Sequence, residues 1–196
     1  MKLRSLKTLG VLLLVALSIC LTSVAAFATT NSVDVYLHDI SDNTDSHLAT
    51  YSRSDLETNF TNAKYNYSTV DCSVPPVYKY YTAKGPELED VLENALGSSL
   101  DNVESIKFVA SDDYVVELDK SSLLDTTRYY YDSVSHSLQY AVPAILATKY
   151  ANGEDVADGS LSTSNTIRNF YGQTTEDDYT INNFNKNITT IYINVP

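Results

Sequence analysis

Alternation of apolar and polar residues dominates this chain. Val33-Asp34-Val35-Tyr36-Leu37 alternates and predicts a first strand. The polar stretch 41–50 predicts a turn. Ser52-Arg53-Ser54-Asp55-Leu56-Glu57 predicts a short helix, with Ser52 as N-cap and Asp55 at the third helical position. Residues 63–70 put Tyr65 and Tyr67 on one face of a second strand. Pro75-Pro76 breaks it, and extended structure resumes over 77–82.

The clearest helix follows. Gly85-Pro86 supplies the break, with Pro86 expected at the first helical position. Glu87, Glu89 and Asp90 lie near the positive end of the helix dipole. Leu88, Val91, Leu92 and Ala95 recur at i, i+3, i+4 and i+7, and Gly97 closes the run as a left-handed cap. Beyond it, 105–110 and 114–118 are two β-rich runs joined by Ser111-Asp112-Asp113, a hairpin pattern. A helical turn is expected over 119–124 and a strand over 128–131. The apolar run 142–149 fits strand or helix, because periodicity does not separate the two at that length. A polar loop spans 151–165, and closing strands are expected over 166–171 and 188–195. Strands and helices mix without regular βαβ spacing, so the expected class is α+β, with mixed β-sheets and a few short helices.

The first 28 residues form a different pattern. Lys2, Arg4 and Lys7 precede an apolar run from Leu9 to Leu21, and Ala26-Phe27-Ala28 fits a signal-peptidase site. The run is short for a membrane span of ~20 residues. The expectation is a cleaved export signal over residues 1–28, a single globular domain over 29–196 without a membrane span, and a secreted or cell-surface location. Leu17-Ser18-Ile19-Cys20 loosely resembles a lipobox, so a lipid anchor at Cys20 is the lesser alternative.

Charge narrows the function classes. The chain has 13 basic and 25 acidic residues. Three of the basic ones and none of the acidic ones precede residue 29, so the remainder carries −15 (10 − 25). That field repels phosphate backbones and argues against nucleic acid as a partner. Cys72 is the one cysteine after the signal, so no internal disulfide is expected. The 16 Tyr fall mostly in alternating segments, where a ring is buried and a hydroxyl stays wet; the alternative use is a stacking surface for sugars or peptides. His38, His47 and His136 lack metal-ligand spacing. No Gly-x-Ser-x-Gly elbow, phosphate loop or dinucleotide fingerprint is present. The acidic loops at Asp112-Asp113, 154–159 and 176–178 lack the alternating spacing of an EF-hand.

One set of motifs resembles a known family. Tyr81-Thr82-Ala83-Lys84-Gly85, then Leu88 and Val91-Leu92, then 106–116 with its Ser111-Asp112-Asp113-Tyr114 turn, is similar to the molybdopterin-binding domain of the sulfite oxidase family. Val142 to Ala147 with Asn152-Gly153-Glu154, Ile167-Arg168 with Gly172, and the closing run 187–193 resemble later segments of that domain. The likeness covers roughly residues 33–194 and is nearest to small exported bacterial versions. It implies the sulfite-oxidase-type fold and a cofactor pocket in which a cysteine thiolate ligates molybdenum, a soft-donor role. Cys72, 13 residues before Gly85, stands near the family's cysteine, and Arg168 matches its strand arginine. The sequence departs from the family where Ser73-Val74-Pro75 follows the cysteine and Asn182-Asn183-Phe184 precedes the last strand. The cofactor's phosphate also needs a basic cradle, and this chain is poor in Arg and Lys. The expected function is therefore a non-catalytic, cofactor-free domain for binding or scaffolding an extracellular ligand or protein. The alternative is a molybdopterin-dependent oxidoreductase with Cys72 on the metal.

Overall fold

The computed structural model describes residues 31–164 and 166–196; the export signal expected over 1–28 and the alternative lipid anchor at Cys20 lie outside them. The fold is α+β and mostly strands, with a few short helices. Val33 and Val35 of β1 (Ser32–Asp39) point inward and are fully buried. On one side β1 pairs antiparallel with β2 (Thr44–Ser52), and on the other it pairs parallel with the last strand, β12 (Ile188–Val195). β12 then pairs antiparallel with β5 (Ser105–Ala110), which forms a hairpin with β6 (Val115–Asp119). The result is a five-stranded mixed sheet ordered β2-β1-β12-β5-β6. Its inner face carries Val33, Val35, Ile106, Phe108, Ile191 and Ile193, all at zero exposure.

A second, antiparallel sheet is ordered β10-β4-β3, from β3 (Asn62–Val70), β4 (Tyr78–Pro86) and β10 (Lys149–Asn152). Two small pairs complete the structure: β9 (Ile145–Ala147) with β11 (Arg168–Phe170), and β7 (Tyr129–Tyr131) with β8 (Leu138–Ala141). One core cluster joins the inner face of the large sheet to Tyr67, Tyr81, Phe170 and Phe184. Around Phe170, the rings of Tyr67, Tyr81, Tyr150 and Phe184 have centroids 5.0–5.4 Å away, the separations aromatic pairs favour.

Both expected helices form. In α1 (Arg53–Thr58), Ser52 and Asp55 make a reciprocal capping box: the Asp55 amide donates to the Ser52 hydroxyl, and the Ser52 amide donates to the Asp55 carboxylate at 2.8 Å. In α2 (Leu88–Leu96), Leu88, Val91 and Leu92 are fully buried and Gly97 ends the helix at φ 72°, a conformation glycine takes without a Cβ penalty. Pro86, however, closes β4. Glu87 is the N-cap, in extended conformation, and bridges Ile145; the sheet holds the backbone extended two residues longer than the Pro signal indicates.

Three further segments bear on the sequence reading. Of the polar stretch 41–50, residues 41–43 form the expected turn, but 44–50 belong to strand β2, because they pair antiparallel with β1 and the edge position leaves Thr44 to His47 exposed. The ambiguous apolar run 142–149 is extended, and Ile145 to Ala147 are buried on both faces, which removes the alternation. The helical turn expected after β6 forms over Ser121–Asp125 as a wide five-residue turn, closed by the Thr126 hydroxyl on the Ser121 carbonyl.

Leu92 sits at the centre of this packing. Leu92→Ala is expected to lower unfolding free energy by about 2–5 kcal/mol, the range for a buried leucine truncation, read as a reduced urea midpoint with an unchanged slope.

Candidate functional site

Acidic side chains build a distinctive surface from three loops. Asp71 organises the β3–β4 loop, accepting from the amides of Ser73 at 3.0 Å and Val77 at 3.2 Å and pairing with Lys79 at 3.1 Å. Asp132 organises the β7–β8 loop. It accepts from the amides of Val134 and Ser135, the hydroxyls of Ser135 and Ser137, and the Gln139 side chain, at 2.7–2.8 Å. These donors hold both carboxyls well below the usual carboxylate range, side-chain bonds leading at Asp71 and the Ser135 amide at Asp132. Asp178 ties down loop 174–179, accepting from the Thr174 amide and hydroxyl at 3.0 Å.

Side chains join the three loops. The Tyr78 ring stacks on His136 with centroids 4.1 Å apart, and Tyr80 Oη lies 2.9 Å from His136 Nδ1. The Tyr78 hydroxyl donates to Asp177 at 2.9 Å, and the Tyr131 hydroxyl donates to the Thr174 carbonyl. Beneath them Thr180 Oγ1 bonds Thr69 Oγ1 of β3 at 2.8 Å, in the buried layer. Glu154 accepts from Ser133 and from the Tyr130 hydroxyl. Burial, with Glu154 and Asp132 nearby, pushes the Tyr80 hydroxyl up to about 12, so it stays a neutral donor at ordinary pH.

The outer surface of this region is apolar and aromatic as well as acidic. Val74 and Val134 are 98% and 91% exposed, so they contribute almost nothing to the core. Val77, Leu138, Tyr140 and Tyr179 are exposed too. Exposed valines beside oriented rings and carboxylates are what a binding face offers.

The two residues singled out by the family resemblance have different surroundings. Cys72 is a free, exposed thiol in the β3–β4 loop. Arg168 is buried on β11, its Nε donating to the Phe184 carbonyl at 3.2 Å. Its guanidinium lies over the rings of Tyr81, Tyr150, Phe170 and Phe184 at 4.9–5.8 Å. No hydrogen bond, ion pair or ring contact joins Cys72 to Arg168 among the described residues. Lys79, the cation nearest Cys72 in sequence, is engaged by Asp71. A molybdopterin cofactor needs a sheltered thiolate and cations free to meet its phosphate. An exposed thiol and an arginine folded into aromatic rings do not fit that group.

His38 and His47 lie on the other sheet, beside Asp45 at 2.7 Å and Asp34 at 3.7 Å. Among the described residues no three His, Cys, Asp or Glu side chains gather into a metal-binding group, and no helix is long and apolar enough to cross a membrane. Sequence reasoning raised a Tyr stacking surface without placing it. The signal was the Tyr content of 77–82; the loops that carry exposed Val74 and Val134 are joined by the Tyr78–His136 contact, which sequence alone does not show.

Asp132 yields a pH prediction. Its folded pKa lies below the 3.8 of a free aspartate, so its stabilisation is complete above that value and is lost as pH falls through the folded pKa. Below about pH 4 the stability of wild type is expected to fall more steeply than that of Asp132→Ala, measured by urea midpoints across an acid series.

Compared with known proteins, no protein-family model and no curated protein matches this chain.

Proposed function

We propose that this is an exported, non-catalytic binding domain that keeps the architecture of the sulfite-oxidase-type molybdopterin domain without its cofactor. The observation that carries this reading is that Tyr78, through His136 and Asp177, joins the loops 71–77, 132–137 and 174–179, on which Val74, Val77, Val134 and Tyr179 are exposed. Rings beside carboxylates favour a positively charged segment: cations sit over aromatic faces, and the net acidic charge draws them in. The order of the sequence motifs supports the ancestry, and the signal over 1–28 supports the location outside the cell membrane. The aromatic enclosure of Arg168 and the exposure of Cys72 support a binding rather than a redox role.

The test has two arms. Protein is purified from a host that assembles molybdopterin and is analysed for molybdenum and pterin; neither is expected. Stoichiometric molybdenum lost in Cys72→Ala overturns the non-catalytic reading in favour of an oxidoreductase with Cys72 on the metal. In the second arm a lysine- and arginine-rich peptide is titrated while amide resonances are followed. Shifts are expected at 74–80, 132–140 and 174–179 and are expected to shrink in Tyr78→Ala. Shifts spread evenly over the acidic surface contradict the assignment of this face.

A further inference from the structure

The end of the β10-β4-β3 sheet remote from Cys72 holds an unexpected arrangement. Lys64 of β3 pairs in register with Lys84 of β4, and Lys84 pairs in register with Lys149 of β10. Residues directly opposite in a sheet project from the same face. Three ammonium groups therefore share one rung, in a chain whose acidic residues outnumber its basic ones 25 to 13. Like charges placed opposite one another repel and weaken the pairing, so the rung depends on anions.

The protein supplies two. Asp158, in the exposed turn Asp158–Ser160, reaches Lys64 with Oδ1 at 3.1 Å and Lys84 with Oδ2 at 2.6 Å. Glu57 of α1 reaches Lys149 with Oε2 at 3.3 Å. Three cations thus face two carboxylates. Beside the rung lies a cavity of about 280 Å³ lined by Glu57, Asn62, Lys84, Thr148 and Lys149. Glu57 Oε1 is buried and accepts no hydrogen bond, which is costly for a carboxylate oxygen.

We infer that the Lys64–Lys84–Lys149 rung is a binding site for a phosphate group, with Asp158 as a built-in occupant that the ligand displaces. The two Asp158 oxygens bridge two ammonium groups as two oxygens of a phosphate do, and lysine binds phosphate as a point charge. Lys149 lies on the far side of Lys84 and meets a third oxygen. Glu57, whose carboxylate lines the same cavity, selects among anions: hydrogen phosphate or a protonated phosphomonoester brings an O–H for a carboxylate to accept, and sulfate brings none. Lys64 and Lys84 stand six residues along β3 and β4 from the Val70–Tyr78 pair that borders the Cys72 loop, about 20 Å at ~3.3 Å per residue. The site is thus separate from the aromatic face and does not rest on the function proposed for it.

The experiment is calorimetric titration at pH 7 and constant ionic strength with inorganic phosphate, glycerol phosphate and sulfate, the sulfate arm controlling for general salt effects. Wild type is expected to bind phosphate and to bind sulfate more weakly. Glycerol phosphate binding more tightly than the free ion identifies a phosphomonoester as the ligand; the reverse identifies the ion. Asp158→Asn is expected to tighten phosphate binding severalfold, whereas Lys84→Gln and Lys149→Gln weaken it roughly tenfold, about the effect of one charge-assisted contact. Far-ultraviolet circular dichroism checks that each variant folds; should Asp158→Asn fail, wild type against Lys149→Gln decides. Equal binding of phosphate and sulfate, no binding by wild type, or phosphate binding unchanged in both lysine variants overturns the inference.

Discussion

The pairing of β12 between β1 and β5 holds the structure together. β1 and β2 form one hairpin near the start of the described chain, and β5 and β6 form another near its middle. Within the sheet β12 lies between the two, pairing parallel with one and antiparallel with the other. Ile191 and Ile193 fill the seam from the inside. On the open face Tyr192 stacks on Tyr36, its register partner in β1, at 5.4 Å, and Lys107 of β5 lies 4.2 Å over the same ring. Such cross-strand contacts each stabilise a sheet modestly, but here they lie on the one strand whose loss separates the sheet into halves. α2 packs its buried Leu88, Val91 and Leu92 against β1, β2 and β9, so it too depends on the closed sheet.

Acidity in this molecule acts locally as well as globally. Asp71, Asp132 and Asp178 are turned onto backbone amides and hydroxyls of their own loops, and Glu154 onto the Ser133 amide of the β7–β8 loop. Each replaces solvent as the acceptor for donors that a tight loop leaves unpaired. The loops so fixed carry the exposed valines and rings of the aromatic face. A chain without a disulfide among its described residues thereby keeps long connections ordered and presents apolar groups outward.

Elements with a local signal were legible in the sequence. The Ser52–Asp55 capping box, the Leu88–Val91–Leu92 stripe closed by Gly97 and the 105–118 hairpin each follow from neighbours within a few residues. β2 was not, because its polar, exposed residues carry no apolar alternation and its strand form comes from pairing with β1. β8 is short and exposed along its length. Pro86 showed where a strand gives way to a helix but not on which side of the boundary it falls. The candidate surfaces depended on register and loop contact. Lys64, Lys84 and Lys149 are far apart in sequence, and nothing short of the β3–β4–β10 pairing lines them up. Arg168 illustrates the opposite case: the sequence singled it out only through a resemblance, while its surroundings, four aromatic rings and a backbone carbonyl, emerged from tertiary packing.

Native-state amide exchange at rising urea tests the role of β12 most directly. The amides of Val35, Ile191, Ile193 and Ile106 are expected to exchange with one common free energy, equal to that of global unfolding. A β1–β2 unit that exchanges at markedly lower free energy than β5 and β6 would show that the two hairpins are stable apart, contradicting the role assigned to the last strand.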